Sequence, residues 1–270
     1  MDAEGDAATA HRNRHTGTVS RRPRTARVSP VFLLLVAITV GGGILSTLDT
    51  VFAVTVGIVL LVLGGWSVSL CLHEFGHAAA AYRGGDTSVV DKGYLTLDIR
   101  RYTDPMLSFV LPLFFLLAGG IPLPGAAVWI NDQMIRSPVA RSLVSLAGPA
   151  VNLLLAIGLT ALASVAAMPI GLQAGLSCLA LIQVLAFLLN LLPVPGLDGF
   201  GALEPYLSEQ SRELAGRVRP WAPLVLFLLI IGLPEVGRLF FDTGSAIFAG
   251  VGGNAYAASL GYSALMFWRR

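Results

Sequence analysis

Residues 142–197 read SLVSLAGPAVNLLLAIGLTALASVAAMPIGLQAGLSCLALIQVLAFLLNLLPVPGL, a run of 56 positions without one Asp, Glu, Lys or Arg. A helix crosses the hydrocarbon layer with about 20 apolar residues, so this run has the length for two crossings and implies a chain that lives in lipid. The whole sequence carries the same mark. Of its 270 residues 55% are hydrophobic and 13% charged, where a soluble domain has roughly a quarter charged, and the mean hydropathy is +0.74. These values exclude an ordinary soluble enzyme and make the lipid bilayer the chain's first partner. A net charge of +2 is too small to require nucleic acid, and none is expected as a partner.

Working outward, the N-terminal side opens on residues 1–29, polar, free of aromatics and holding Arg12, Arg14, Arg21, Arg22, Arg24 and Arg27. Too little of it is apolar to fold, and it reads as a disordered basic tail that the positive-inside rule keeps in the cytoplasm. No small-residue cleavage site follows the apolar run 31–40, so that run starts a first spanning helix and is not a removed signal. Spans are expected over 30–48 and 51–82, with only Asp49 and Thr50 between them, then over 138–168, 172–197, 221–241 and 246–268. The charged stretch 204–219 and the closing Arg269-Arg270 pair fall on the cytoplasmic side, as both termini do.

Residues 86–102 place apolar side chains alternately around a turn signal at Asp91-Lys92-Gly93 and read as a small β-hairpin. Residues 105–130 are apolar and uncharged but interrupted by Pro112, Gly119, Gly120, Pro122, Pro124 and Gly125, with Arg100 and Arg101 before them and Arg136 and Arg141 after. A plain crossing would strand one arginine pair outside, so this segment is expected to dip in and return. The expected fold class is an all-α polytopic membrane protein of about six transmembrane helices, with a re-entrant segment and a small β-hairpin. Cys71 and Cys178 sit singly in apolar runs and predict no disulfide.

Two of the four histidines, His11 and His15, belong to the tail; the others stand in His73-Glu74-Phe75-Gly76-His77, near the inner end of the second helix. At about 100° per residue, positions four apart fall within about 40° of each other, so both imidazoles share a face and can hold one metal ion. Glu74 lies on the adjoining face, where a carboxylate can reach a water on that metal without being a ligand, the place of a general base. The plain alternative is a trio satisfied by hydrogen bonds at a helix end, and against it stands the expense of ionisable groups inside a span.

A catalytic zinc takes three protein ligands and keeps one position open. Cys71 points about 200° round the helix from His73, Cys178 falls mid-span on another helix, and Asp49 is about 36 Å away at the far end of the second helix. Asp198 ends a long uncharged run on a helix that enters from outside, as the His73 helix does, and so reaches the same depth. Elimination selects His73, His77 and Asp198; a turn aspartate before Gly199 is the other reading of Asp198. Gly148-Pro149-Ala150-Val151-Asn152 brings Asn152 near that depth. Pro193 and Pro195 force irregular backbone after Asn190, leaving carbonyls free and Asn190 able to bind an extended peptide. For both asparagines an interhelical hydrogen bond is the alternative role.

Taken together, H-E-F-G-H on a spanning helix, G-P-x-x-N on the next full span and N-x-x-P-x-P-x-L-D-G after it resemble the site-2 protease family of intramembrane zinc metalloproteases. The three motifs are complete, in order, and reach from His73 to Gly199. The resemblance implies a three-helix catalytic core with one Zn2+ on His73, His77 and Asp198, Glu74 as general base, and Asn190 and Asn152 as polar groups near substrate or metal. It makes residues 30–270 a membrane-embedded metalloprotease domain with its catalytic core over about 51–200, and the stretch 111–128 is similar to the re-entrant part of small bacterial members. The chain departs from the larger members in showing neither a PDZ module nor a nucleotide-sensing CBS module.

The activity so implied is hydrolysis of peptide bonds within or near transmembrane segments of protein substrates, as in regulated intramembrane proteolysis, from an active site toward the cytoplasmic side. Stretched substrate is expected to pair with the hairpin edge at 94–99 or with the Gly-Pro-rich segment by strand addition. One rival is a metal-cation transporter, which would need no base beside a closed ligand set. A catalytically inactive membrane binding protein of the same fold is the other, and against it stands the retention of every metal and base position.

Overall fold

The computed structural model describes residues 28–102, 129–165 and 167–269. These are helical, with no strand among the described residues: α1 (Pro30–Leu45), α2 (Val51–Gly84), α3 (Ser88–Asp91), α4 (Pro138–Ala163), α5 (Ile170–Leu191), α6 (Asp198–Leu203), α7 (Glu209–Val218), α8 (Ala222–Gly232), α9 (Pro234–Gly250) and α10 (Ala255–Leu265). Local chemistry sets their ends. Pro30 and Pro138 open α1 and α4, where a missing N–H is harmless, behind Ser29 and Ser137, whose hydroxyl oxygens accept from Val31 N–H at 3.2 Å and Ala140 N–H at 3.1 Å. Thr50 caps α2 in the same way, and Gly85, at φ 122°, closes it. With 34 residues, α2 is about 51 Å long, against a hydrocarbon layer of about 30 Å.

Helix α5 is the buried axis. Its Leu176, Leu179 and Ile182 pack with Ile58, Leu61, Val62 and Trp66 of α2. Ala180 and Val184 meet Ala156 of α4 and Phe248 of α9, while Leu185 and Leu189 meet Phe227 of α8 and Phe240 of α9. A helix apolar on all sides belongs in such a position. On the outside, Leu33 and Leu34 of α1, Leu143 and Leu154 of α4 and Leu228 and Ile231 of α8 are exposed, an exterior suited to lipid.

Among the described residues three helices, α2, α4 and α5, are long and apolar enough to cross a membrane, and a fourth crossing arises if α7 and α8, bent by 63° at their junction, form one. Six single-helix crossings are therefore not what the described residues form. Helix α1 has 16 residues, about 24 Å. The run 221–241 breaks at Leu233, and the run 246–268 breaks at residues 251–254. Leu233 precedes Pro234 and is extended, at φ −112° and ψ 108°, because a proline ring disfavours helix in the residue before it. Gly252 takes φ 86°, and Asn254 starts a new helix by accepting from Ala257 N–H at 3.0 Å.

The hairpin expected over 86–102 is likewise replaced, by α3 and the 3-10 turns Tyr94–Thr96 and Ile99–Arg101. Two aspartates hold the chain in turns. Asp86 accepts from the backbone N–H and hydroxyl of Ser88 at 3.0 and 2.6 Å, and Asp98 accepts from the Arg100 backbone N–H at 3.2 Å and its guanidinium at 2.9 and 2.8 Å. Such local bonds compete with a strand ladder. The turns also send Val89, Tyr94 and Tyr102 into one buried cluster with Cys71, Ala78 and Ala81 of α2, so no strand edge is offered to a substrate there. The re-entrant segment expected over 105–130 and the tail expected over 1–29 lie, but for their last two residues, outside the described residues.

Candidate metal centre

Helix α2 delivers His73 and His77 from one face, both buried. The irregular turn after α5 brings Asp198, the first residue of α6, against them. His73 Nε2 lies 3.1 Å from His77 Nε2 and 3.3 Å from Asp198 Oδ2, and His77 Nε2 lies 3.4 Å from Asp198 Oδ1. Donors held about 2.0–2.1 Å from a tetrahedral zinc stand roughly 3.3–3.4 Å from one another. The observed separations fit that ion.

The proton positions fit it too. His73 Nδ1 donates to Asn152 Oδ1 at 2.5 Å, and His77 Nδ1 donates to the Val144 carbonyl at 2.8 Å. With the protons on the outer nitrogens, both Nε2 atoms turn lone pairs toward Asp198, whose buried Oδ2 has no hydrogen bond among the described residues. Lone pairs converging without a proton between them repel one another unless a cation lies at their focus. Two imidazoles and a carboxylate beside a cavity make the donor set of a catalytic zinc.

Helix α4 comes this close only because residue 148 is glycine. A Cβ there would stand 2.2 Å from His77 Nε2 and 2.6 Å from His73 Nε2, against the two nitrogens that could hold an ion. Over the ligands lies a cavity of about 320 Å³, lined also by Glu74 and Asn190 and, among charged groups, by Arg141, Asp132, Glu204 and Arg212. Glu74 is only 2% exposed. Asn190 Oδ1 is buried and has no hydrogen-bond partner among the described residues.

Of the expected site residues, His73, His77 and Asp198 thus meet, Glu74 and Asn190 share their cavity, and Asn152 stands behind His73. From there Asn152 Nδ2 donates to Gln183 Oε1 at 2.8 Å, and Gln183 Nε2 donates to Ser69 Oγ at 2.9 Å. Gln183, Ser69 and the Val144 carbonyl were not singled out from sequence, and Gly148 stood out only as the first residue of G-P-x-x-N, without this contact. A signal for Gln183 existed: it precedes Asn190 by seven residues, about two turns, on the same face of α5. A backbone carbonyl carries no such signal.

An all-α membrane protein with a candidate metal centre of two histidines and one carboxylate is the class that this fold and site define. The chain is 42% identical over 250 residues to a Mycolicibacterium smegmatis protein named "Putative zinc metalloprotease Rip2", covering 91% of this chain and 96% of that one. A Mycobacterium tuberculosis protein of the same name is 44% identical over 249 residues, covering 90% and 95%. A Bacillus subtilis protein named "Putative zinc metalloprotease YwhC" is 32% identical over 177 residues, covering 61% and 77%. The chain belongs to the family of these relatives, the site-2 protease-like family whose motifs it carries. It matches no family profile and no solved structure.

Proposed function

We propose that this chain is a zinc metalloprotease that hydrolyses peptide bonds within or beside transmembrane segments of its substrates. The observation that carries the reading is the meeting of His73, His77 and Asp198 under a cavity that Glu74 also lines. The relatives' names agree with it. What zinc supplies when bound is Lewis acidity, lowering the pKa of water toward about 7 and polarising a carbonyl. Glu74 accepts the proton that the attacking water loses and returns it to the departing amide nitrogen, while the water's oxygen stays in the new carboxyl group. Asn190, with Oδ1 buried and unpartnered, accepts from a backbone N–H of extended substrate. A spanning helix hides its carbonyls in its own hydrogen bonds, so substrates carrying Gly, Pro or Asn in the span, which unwind more easily, are preferred.

The chain crosses the bilayer several times with both termini in the cytoplasm, and the site lies toward that side. The arginines of the tail hold the N-terminus inside, and α2 then runs inward. His73 stands 22 residues past its start, about 33 Å along the axis and so near the inner edge of the layer.

The test is Glu74→Gln in the full-length protein, with zinc content and cleavage of a single-span model substrate measured together. Zinc is expected to stay while cleavage falls about 10²- to 10⁴-fold. Undiminished cleavage would remove Glu74 as the base, and a wild-type protein that takes up no zinc would defeat the reading.

A further inference from the structure

Behind the metal centre the buried amides form a chain of hydrogen bonds that runs in one direction. Ser69 Oγ donates its single proton to the Trp66 carbonyl at 2.7 Å, an acceptor with nothing to give back. Toward Gln183, at 2.9 Å, the same oxygen therefore accepts, and the NH2 end of Gln183 faces it. Gln183 Oε1 is then turned to α4, where it accepts from Asn152 Nδ2 at 2.8 Å. That leaves Asn152 Oδ1 facing His73, and an oxygen there requires the His73 proton on Nδ1. Ser69, Gln183, Asn152 and His73 are all buried, Gln183 completely.

From this order we infer that Gln183 is a positioning residue of the metal centre: it fixes the orientation of the Asn152 amide and, through it, keeps the Nε2 lone pair of His73 free for zinc. An asparagine without this partner could flip and offer its NH2 group to His73. Nδ1 would then have to accept, the ring proton would move to Nε2, and the centre would lose a donor. With Gln183 in place the flip sets two amide oxygens against each other in a dry site, which opposes it. Gln183 itself is absent from both the ligand set and the cavity wall, so its role is exerted wholly through Asn152.

The inference rests on the zinc reading of the centre and extends it to a residue on a different helix from the histidines. Full-length protein in detergent is titrated with zinc against a competing chelator, and the imidazoles of the metal-free protein are examined by nitrogen NMR. Gln183→Leu, similar in volume but without the amide, is expected to weaken zinc binding about 10- to 100-fold and to raise the share of His73 protonated at Nε2. In Gln183→Glu the buried carboxyl stays protonated, donates to Ser69 and accepts from Asn152, so affinity stays within about threefold of wild type.

Wild-type affinity and an unchanged His73 spectrum in Gln183→Leu would overturn the inference. So would a Gln183→Glu protein as weak as Gln183→Leu, the mark of a residue that only packs. Should Gln183→Leu fail to fold, Ser69→Ala decides: it frees Gln183 to turn, and affinity must fall about threefold or more, an unchanged affinity overturning the inference. A wild-type protein that takes up no zinc would overturn the zinc reading and this inference with it, a result distinct from all the others.

Discussion

Helix α2 meets a neighbour through glycine in its first half and again in its second half, and the two contacts differ in chemistry. In the first half Gly57 faces α1: a Cβ at 57 would stand 2.3 Å from Ser46 N, and one at Gly42 of α1 would stand 2.4 Å from Leu61 N. Ile58, Leu61 and Val62 around this contact are buried among apolar side chains. In the second half the approach of α4 at Gly148 is bounded by the ring nitrogens of His73 and His77. The first contact gathers dispersion from backbone on backbone and favours no atom in particular. The second lies against the nitrogens that could hold an ion. Identical steric additions should therefore damage stability at one place and chemistry at the other.

The sharpest break of this contrast is Gly148→Ala. Its methyl group would crowd both Nε2 atoms, so zinc affinity should fall more than about 100-fold, beyond the usual loss from disturbing the groups behind the ligands, and cleavage with it, while circular dichroism keeps its helical signal. Metal analysis checks this, and full zinc in that variant would erase the distinction between the halves. Gly57→Ala should do the reverse. Overpacking of α1 on α2 should lower the unfolding free energy by about 1–3 kcal/mol, while the folded fraction takes up zinc as wild type does.

Asn190→Ala sharpens the picture around the histidines. Zinc content should stay, and kcat/KM on the model substrate should fall about tenfold, the size of one hydrogen bond; lost zinc would instead make Asn190 a support of the ligands. The smallest effect belongs to Asp86, which ties the end of α2 to the chain entering α4 by accepting from Asn131 N–H at 2.7 Å. Burial alone would raise its pKa, but the bonds from Asn131 and Ser88 outweigh burial and hold it below the ordinary carboxylate value. A pKa lowered by folding stabilises the protein above about pH 4 and stops doing so as the pH falls through the folded value. Asp86→Asn should thus cost about 1 kcal/mol at neutral pH, and melting of the metal-free protein should show the gap from wild type closing in acid. A gap independent of pH would point to packing.

Much of the centre was legible in sequence because lipid makes every ionisable group conspicuous. His73, Glu74 and His77 interrupt a spanning run, and Asp198 ends an uncharged one just after Pro193 and Pro195 break the helix. Alternation at 86–102 was a weaker guide, since it does not separate a strand from turns held by Asp86 and Asp98 through bonds to their own neighbours. Hydropathy over 221–241 likewise outweighed Pro234, whose effect on Leu233 is local and steric.

Sequence alone determined which residues could hold a metal and that they lie in a membrane protein, because residue type and helical period suffice for both. Only the tertiary structure decided where the polar groups behind them point: Asn152 to His73, the Val144 carbonyl to His77, Gln183 to Asn152, with glycine required at 148. Those contacts join residues as far apart as Ser69 and Gln183. They depend on the height at which one helix crosses another, which is set by how the apolar side chains of α5 seat against α2 and α4, and no periodicity within a single helix encodes that height.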